Sequence, residues 1–130
     1  MDSFLPQPFN RSRLKAGLHV NRVELDVLNR IKVLRCAPRV LAKLRAANPD
    51  AVSDIPDFAA RAMDAHREIL TALAEERSWS GAIFDLDHAI NNLNHIAAHR
   101  RWCGTAACAR LAVRLRIQRD HLRQIDRLWR

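Results

Sequence analysis

Tyrosine is absent from this chain, and 130 residues contain only three glycines, five prolines and three cysteines. So little glycine leaves no material for a phosphate-cradling loop, and the P-loop, the dinucleotide-binding fingerprint and the G-x-S-x-G elbow are all missing. Three cysteines, an odd number, do not make a disulfide framework; they are expected to be reduced thiols, as in a cytoplasmic protein. Nor is a staple required, because a chain of this length buries roughly two thirds of its unfolded surface. No apolar run approaches the ~20 residues that span a bilayer, so no membrane association is expected. Met1 to Gln7 lack a basic region followed by an apolar stretch, and no secretory signal is read there. With 48% hydrophobic residues the chain is not a disordered polyelectrolyte.

What the sequence has in excess is arginine. Of 22 basic residues, 19 are Arg, the side chain whose planar fork meets two oxygens of a phosphate or carboxylate at once. Their placement is uneven. Residues 1–49 hold ten Lys/Arg against three Asp/Glu, residues 50–99 three against nine, and residues 100–130 nine against two. Two basic ends therefore flank an acidic middle. Either the middle packs beside the ends and neutralises them, or the ends remain free for an anionic partner such as nucleic acid.

Apolar periodicity predicts helices almost throughout, and the expected fold class is all-α: a single-domain bundle of about five helices over residues 1–130, with short loops. Residues 1–10, with Pro6 and Pro8, are expected to form an extended arm, and a turn around Arg11 to Ala16 is a further helical candidate before Gly17. Val20, Val23, Val27, Ile31 and Leu34 predict a first helix over Asn21 to Arg35, with Asn21 as its cap. Pro38 begins or kinks a second helix that stops before Asn48-Pro49-Asp50. Residues 46–58 form the main internal linker. Ser53 or Asp54 is expected to cap a third helix running to about Arg77, with Pro56 in its first turn. A fourth follows from Ser80 or Gly81 to Trp102, carrying Ile83, Leu86, Ile90, Leu93 and Ala97 on one stripe. Gly104 ends it, and Thr105 caps a fifth helix over Ala106 to Trp129.

The last helix carries the sharpest basic feature. Arg116, Arg119, Arg123, Arg127 and Arg130 recur at three- and four-residue spacing, so they form one stripe roughly 21 Å long that can follow several phosphates. Lys32, Arg35, Arg39 and Lys43 offer a second track. Asp120 and Asp126 lie within a turn of the stripe and are expected to offset part of it. Such a surface reads backbone rather than base identity. The three Trp and four Phe are candidates for stacking on unpaired bases, Trp79 first because it stands at a helix break between two serines.

Metal and catalytic templates fit less well. His88, Asn92, His95 and His99 share a helix face, and His95, His99, Cys103 and Cys108 are a conceivable tetrahedral zinc set, but no C-x-x-C pair accompanies them and Cys108 falls on an apolar stripe. Ile96 stands where H-E-x-x-H needs its glutamate, so no metalloprotease base is supplied. Asp85 and Asp87 project from opposite sides of a helix and cannot share a metal. No cofactor, metal or enzymatic activity is expected.

Asn91-Asn92-Leu93-Asn94-His95-Ile96-Ala97 resembles the N-N-L-N-Q-I-A stretch of plasmid mobilisation accessory proteins, which assist relaxases at a transfer origin; His95 replaces the usual Gln, and no ribbon-helix-helix segment precedes it. In size, helicity and basic charge, though in no motif, the chain is also similar to the small helical subunits of CRISPR surveillance complexes, which line a nucleic-acid groove without catalysing anything. The expectation is a non-catalytic protein that binds DNA or RNA backbone as a small subunit or accessory of a nucleoprotein complex, with protein neighbours or further copies meeting the acidic 50–99 segment. The alternative is a helical adaptor for an acidic protein, which exposed apolar residues beside the arginines would mark; a zinc-bearing helical protein is the third.

Overall fold

A computed structural model describes residues 22–129, without the Trp129 side chain. The expected arm over residues 1–10, the segment up to the Asn21 cap and Arg130 lie outside the described residues. Five α-helices follow one another: α1 (Arg22–Arg30), α2 (Ala37–Ala47), α3 (Phe58–Glu75), α4 (Ser80–His99) and α5 (Thr105–Trp129). No strand occurs among the described residues, and the all-α bundle expected from periodicity is the fold.

The first predicted helix does not reach Arg35 as an α-helix. It tightens at Ile31 into a 3-10 segment, Ile31–Cys36, that feeds directly into α2. Pro38 supplies the reason: it has no N–H to donate and its ring crowds the carbonyl four residues earlier, that of Leu34. The chain responds with a three-residue bond from Ala37 N–H to Leu34 O, and Pro38 then sits in the first turn of α2, where no N–H is needed.

The linker expected over 46–58 is more ordered than a loop, holding a second 3-10 segment, Pro49–Asp54. Neither Ser53 nor Asp54 caps α3. Asp57 does, its Oδ1 accepting from Ala60 N–H at 2.9 Å. Pro56 disfavours helical geometry at the preceding residue, and Ile55 is accordingly extended (φ −83°, ψ 115°), so the helix cannot open until Pro56 is passed. At the far end Glu76 takes a left-handed conformation (φ 56°, ψ 44°). Arg77 N–H bonds Ala72 O at 3.0 Å and Glu76 N–H bonds Leu73 O at 3.4 Å, the six-residue closure that ends helices.

Helices α3, α4 and α5 pack as sequential neighbours, with α1, the first 3-10 segment and α2 laid across α3 and α5. Ala62, Ala65, Ala72, Ala82 and Ala89 are fully buried and admit close approach of α3 and α4, while Phe58, Ile69, Leu73, Leu86, Leu93, Leu115 and Leu122 fill the volume between. A polar lock joins the two ends of the α4–α5 hairpin. The Asp126 carboxylate on α5 accepts from Ser78 Oγ at 2.8 Å and from Trp79 N–H at 3.2 Å, and the Trp79 indole Nε1 donates to Leu122 O at 2.9 Å. At the other end Asn48 clamps the start of α5: its Oδ1 accepts from Cys103 N–H and its Nδ2 donates to Cys103 O and Leu44 O.

Candidate anion-binding surface

The stripe expected on α5 is split by its neighbour. Arg116 and Arg127 are exposed and take part in no ion pair among the described residues, but Arg119 is only 19% exposed and bonds Asp87 of α4 at 2.8 Å and Asp120 at 3.0 Å. Arg123 lies 3.7 Å from the same Asp87 carboxylate. Partial burial works against the charge on Arg119, yet its hydrogen bonds to Asp87 and Asp120 outweigh that cost and hold its pKa above the ordinary arginine value. The centre of the stripe is thus already paired. Asp126, expected to offset part of the same stripe, is 5% exposed and accepts from Ser78 and the Trp79 amide.

The second track has a better setting than its sequence suggested. Two tethers fix the segment from Arg30 to Asn48 against α5: Arg30 Nη1 donates to Gln118 Oε1 at 3.2 Å, and Asn48 bonds Cys103. Early residues of the segment therefore meet late ones of α5, and the two run antiparallel. Arg114 and Arg110 precede Gln118 at four-residue spacing on α5. All six of Lys32, Arg35, Arg39, Lys43, Arg110 and Arg114 are exposed, and none joins an ion pair among the described residues. Arg110 and Arg114 were missed in the sequence because they stand off the Arg116–Arg127 row, separated from it by Val113 and Ile117; the row Arg110-Arg114-Gln118 was the available signal.

The acidic middle does not neutralise this surface. Its own arginines take most of its paired acids: Arg61 bonds Asp85 at 3.1 Å, Arg67 bonds Asp64, and Arg77 bonds Glu68 at 2.5 Å and Glu75 at 2.7 Å. Among the described residues, Asp87 alone of the 50–99 acids reaches a cation of the basic ends. Asp85 and Asp87 face different helices, as their spacing predicts.

Aromatic stacking has few candidates left. Trp79 is fully buried and its indole N–H is spent on Leu122 O, which overturns its expected role as a stacking platform; Phe58 is buried as well. Trp102 is half-buried with the Arg100 guanidinium 5.1 Å from its ring, and Phe84, edge-on to His88, is 60% exposed. Phe4 and Phe9 lie outside the described residues.

The four-residue zinc set does not assemble. His95 and His99 are exposed with ring centroids 4.8 Å apart, but no group of three or more His, Cys, Asp or Glu among the described residues is arranged to hold a metal. Cys103 is exposed, whereas Cys108 is buried in the core and burial pushes its thiol pKa up. In the heptapeptide at 91–97, Leu93 and Ile96 are buried and Asn91, Asn94 and His95 exposed, an arrangement that the amphipathic periodicity of α4 accounts for. No helix among the described residues is long and apolar enough to cross a membrane. No family model, curated protein or solved structure matches this chain.

Proposed function

We propose that this chain is a non-catalytic protein that binds the phosphate backbone of DNA or RNA, as a small subunit or accessory of a nucleoprotein assembly. One observation carries the reading: Lys32, Arg35, Arg39 and Lys43, on a segment tethered antiparallel to α5, and Arg110 and Arg114 of α5 are all exposed and join no ion pair among the described residues, where Asp87 alone of the 50–99 acids pairs with a cation of the basic ends. Six unpaired cations on two tethered elements match the requirement of a polyanion, several point charges over an extended surface, better than that of a small ligand. Arg116 and Arg127 extend the positive surface on the other edge of α5. In this reading Arg119 is a hinge of the fold rather than a principal phosphate ligand. Contacts of this kind register the backbone and leave base identity unread.

The test is the salt dependence of binding to an unrelated oligonucleotide, single- or double-stranded. Six contacts give a slope of log K against log salt of about −4 to −5, and replacing Arg35, Arg39, Arg110 and Arg114 together by Gln removes about 3 units of it. Replacing Arg116 and Arg127 instead removes no more than about 2 units. If the native chain shows no salt-sensitive affinity for any oligonucleotide at low ionic strength, the reading fails.

A second reading, the adaptor for an acidic protein, is favoured by one specific observation. Val113, Ile117 and Leu128 on α5 are 46%, 47% and 78% exposed, and Val113 and Ile117 alternate with Arg110 and Arg114. An acidic helix with an apolar seam fits such a face. The adaptor would lose its partner on Ile117→Asp yet bind no generic oligonucleotide, whereas the backbone binder keeps most of its oligonucleotide affinity in that variant.

A further inference from the structure

The zinc set read from the sequence breaks up because Cys108 is buried, but its first two members stay together. His95 and His99 lie about one turn apart on α4, both exposed, with ring centroids 4.8 Å apart and ring planes tilted by 44°. With metal–nitrogen bonds of about 2.0–2.1 Å, two imidazoles on one ion at an angle of about 90–109° hold their centroids about 4.5–5.2 Å apart. The observed separation falls within that range, so sharing an ion needs only side-chain rotation on a backbone already in place. The electrostatic setting also admits a cation. In a chain of net charge +8, α4 carries no Lys or Arg over its 20 residues, and its last turn, which includes His99, is the negative end of the helix dipole. Of the two arginines that follow, Arg100 has its guanidinium 5.1 Å from the Trp102 ring, and Arg101 is exposed, where water and salt screen it.

We infer that His95 and His99 form a two-histidine chelate for one divalent first-row transition ion of the Zn²⁺ type. Imidazole suits Zn²⁺, Ni²⁺ and Cu²⁺, whereas Mg²⁺ and Ca²⁺ ask for oxygen ligands. Two protein ligands supply half of a tetrahedron, and water fills the open positions. No third ligand of the chain completes it among the described residues: His88, seven positions before His95, packs edge-on against Phe84, and no trio of His, Cys, Asp or Glu assembles. The affinity is therefore that of a surface chelate and falls well short of a closed four-ligand structural site. The pair does not use the Lys32–Lys43 track or Arg110 and Arg114, and it stands or falls independently of nucleic-acid binding.

The experiment is an NMR titration of the isotope-labelled full chain at neutral pH, read at the histidine ring C–H signals, with Zn²⁺ and Mg²⁺ as probes. Zn²⁺ is expected to shift the rings of His95 and His99 together and saturably, with Kd below about 1 mM and one ion per chain, while those of His66, His88 and His121 do not follow. Mg²⁺ should move none of them at the same concentrations. His99→Ala, at an exposed position, removes one of the two coordinate bonds and should weaken Zn²⁺ binding by about tenfold or more without loss of fold, which the backbone amide spectrum reads directly. Cys103 is an exposed thiol and a competing ligand, so Cys103→Ser is the control, and it should leave the shifts of both rings unchanged. No saturable shift with Zn²⁺, a shift of one ring of the pair alone, an equal response of every histidine or to Mg²⁺, a folded His99→Ala variant that binds as the native chain does, or loss of binding in Cys103→Ser would each overturn the assignment.

Discussion

Asp126 is the residue whose replacement tests most directly how the helices are held in register. It is 5% exposed, and its carboxylate takes Ser78 Oγ at 2.8 Å and the Trp79 amide at 3.2 Å, joining the last turns of α5 to the chain that opens α4. Asp126→Ala leaves the Trp79 N–H buried without an acceptor, a cost of about 1–3 kcal/mol, and removes a charge-assisted bond to Ser78 worth about 1.5–3 kcal/mol. Part of this is returned, because the alanine variant no longer keeps a carboxylate out of water. The net expectation is a loss of about 2–3 kcal/mol, a substantial share of the 5–15 kcal/mol of a whole domain. Asp126→Asn retains an acceptor oxygen and should lose only about 1 kcal/mol. Urea denaturation of the three proteins reads these differences as midpoint shifts at constant slope. The graded order of Asp, Asn and Ala is the discriminating result. An alanine variant within about 0.5 kcal/mol of the native chain, the range of ordinary surface changes, would show that the lock does not hold the hairpin.

Glu76→Gly should raise stability by about 1 kcal/mol, since glycine adopts the left-handed φ of 56° without the penalty a Cβ incurs; an unchanged or lowered urea midpoint would contradict this. Asp87→Asn should free Arg119 and Arg123 from their shared acid and steepen the salt slope of oligonucleotide binding by about one unit, and an unaltered slope would show that this edge of α5 meets no phosphate. The Arg77 hydrogen bond holds the Glu68 pKa below its ordinary value despite slight desolvation, so the pair's stabilisation is complete above the ordinary glutamate pKa and fades as pH falls through the depressed one. Glu68→Gln should therefore flatten the acid limb of a stability–pH curve below about pH 5, and an identical limb would refute the link. Acidic and basic surfaces on one chain should favour association between copies or with a partner at low ionic strength, so sedimentation should show mass falling as salt rises; a monomer at every salt concentration, with no co-purifying partner, would count against it.

The helices were legible because burial of an apolar stripe is a local property of spacing: Leu86, Ile90 and Leu93 lie on one side of α4 whatever packs there. Their ends were less so, and proline explains the difference. The competing caps Ser53, Asp54 and Asp57 are chemically similar, and what selects Asp57 is the backbone restriction that Pro56 places on Ile55. The tightening of residues 31–36 likewise follows from Pro38 acting on a carbonyl four residues back, an effect that a helix-or-break reading of proline passes over. Trp79 shows a further limit. Two flanking serines and a nearby glycine read as an exposed loop, yet the indole is fully buried because Asp126 and the Leu122 carbonyl, more than forty positions away, satisfy the polar groups that burial would otherwise orphan.

The same distinction governs the charged surface. Spacing placed Arg116, Arg119, Arg123 and Arg127 on one face of α5, but not which helix lies beside that face, and α4 brings Asp87 to its centre. A charge stripe has a binding capacity only after its tertiary neighbours have been subtracted. Applied to α5, this subtraction takes Arg119 and Arg123 out of the stripe that periodicity made conspicuous and leaves Arg110 and Arg114, with Lys32, Arg35, Arg39 and Lys43 of the tethered 30–48 segment, among the unpaired ones. No acid of the middle pairs with these cations among the described residues: Arg61, Arg67 and Arg77 hold Asp85, Asp64, Glu68 and Glu75, and Asp87 meets Arg119 and Arg123. The net charge of +8 is therefore neither spread evenly nor cancelled across the interface between middle and ends. Lys32, Arg35, Arg39 and Lys43 stand on a segment that the Asn48 and Gln118 tethers fix to α5, and under the proposed function cations on an ordered backbone lose less backbone entropy on meeting a polyanion than the same residues would in a flexible tail.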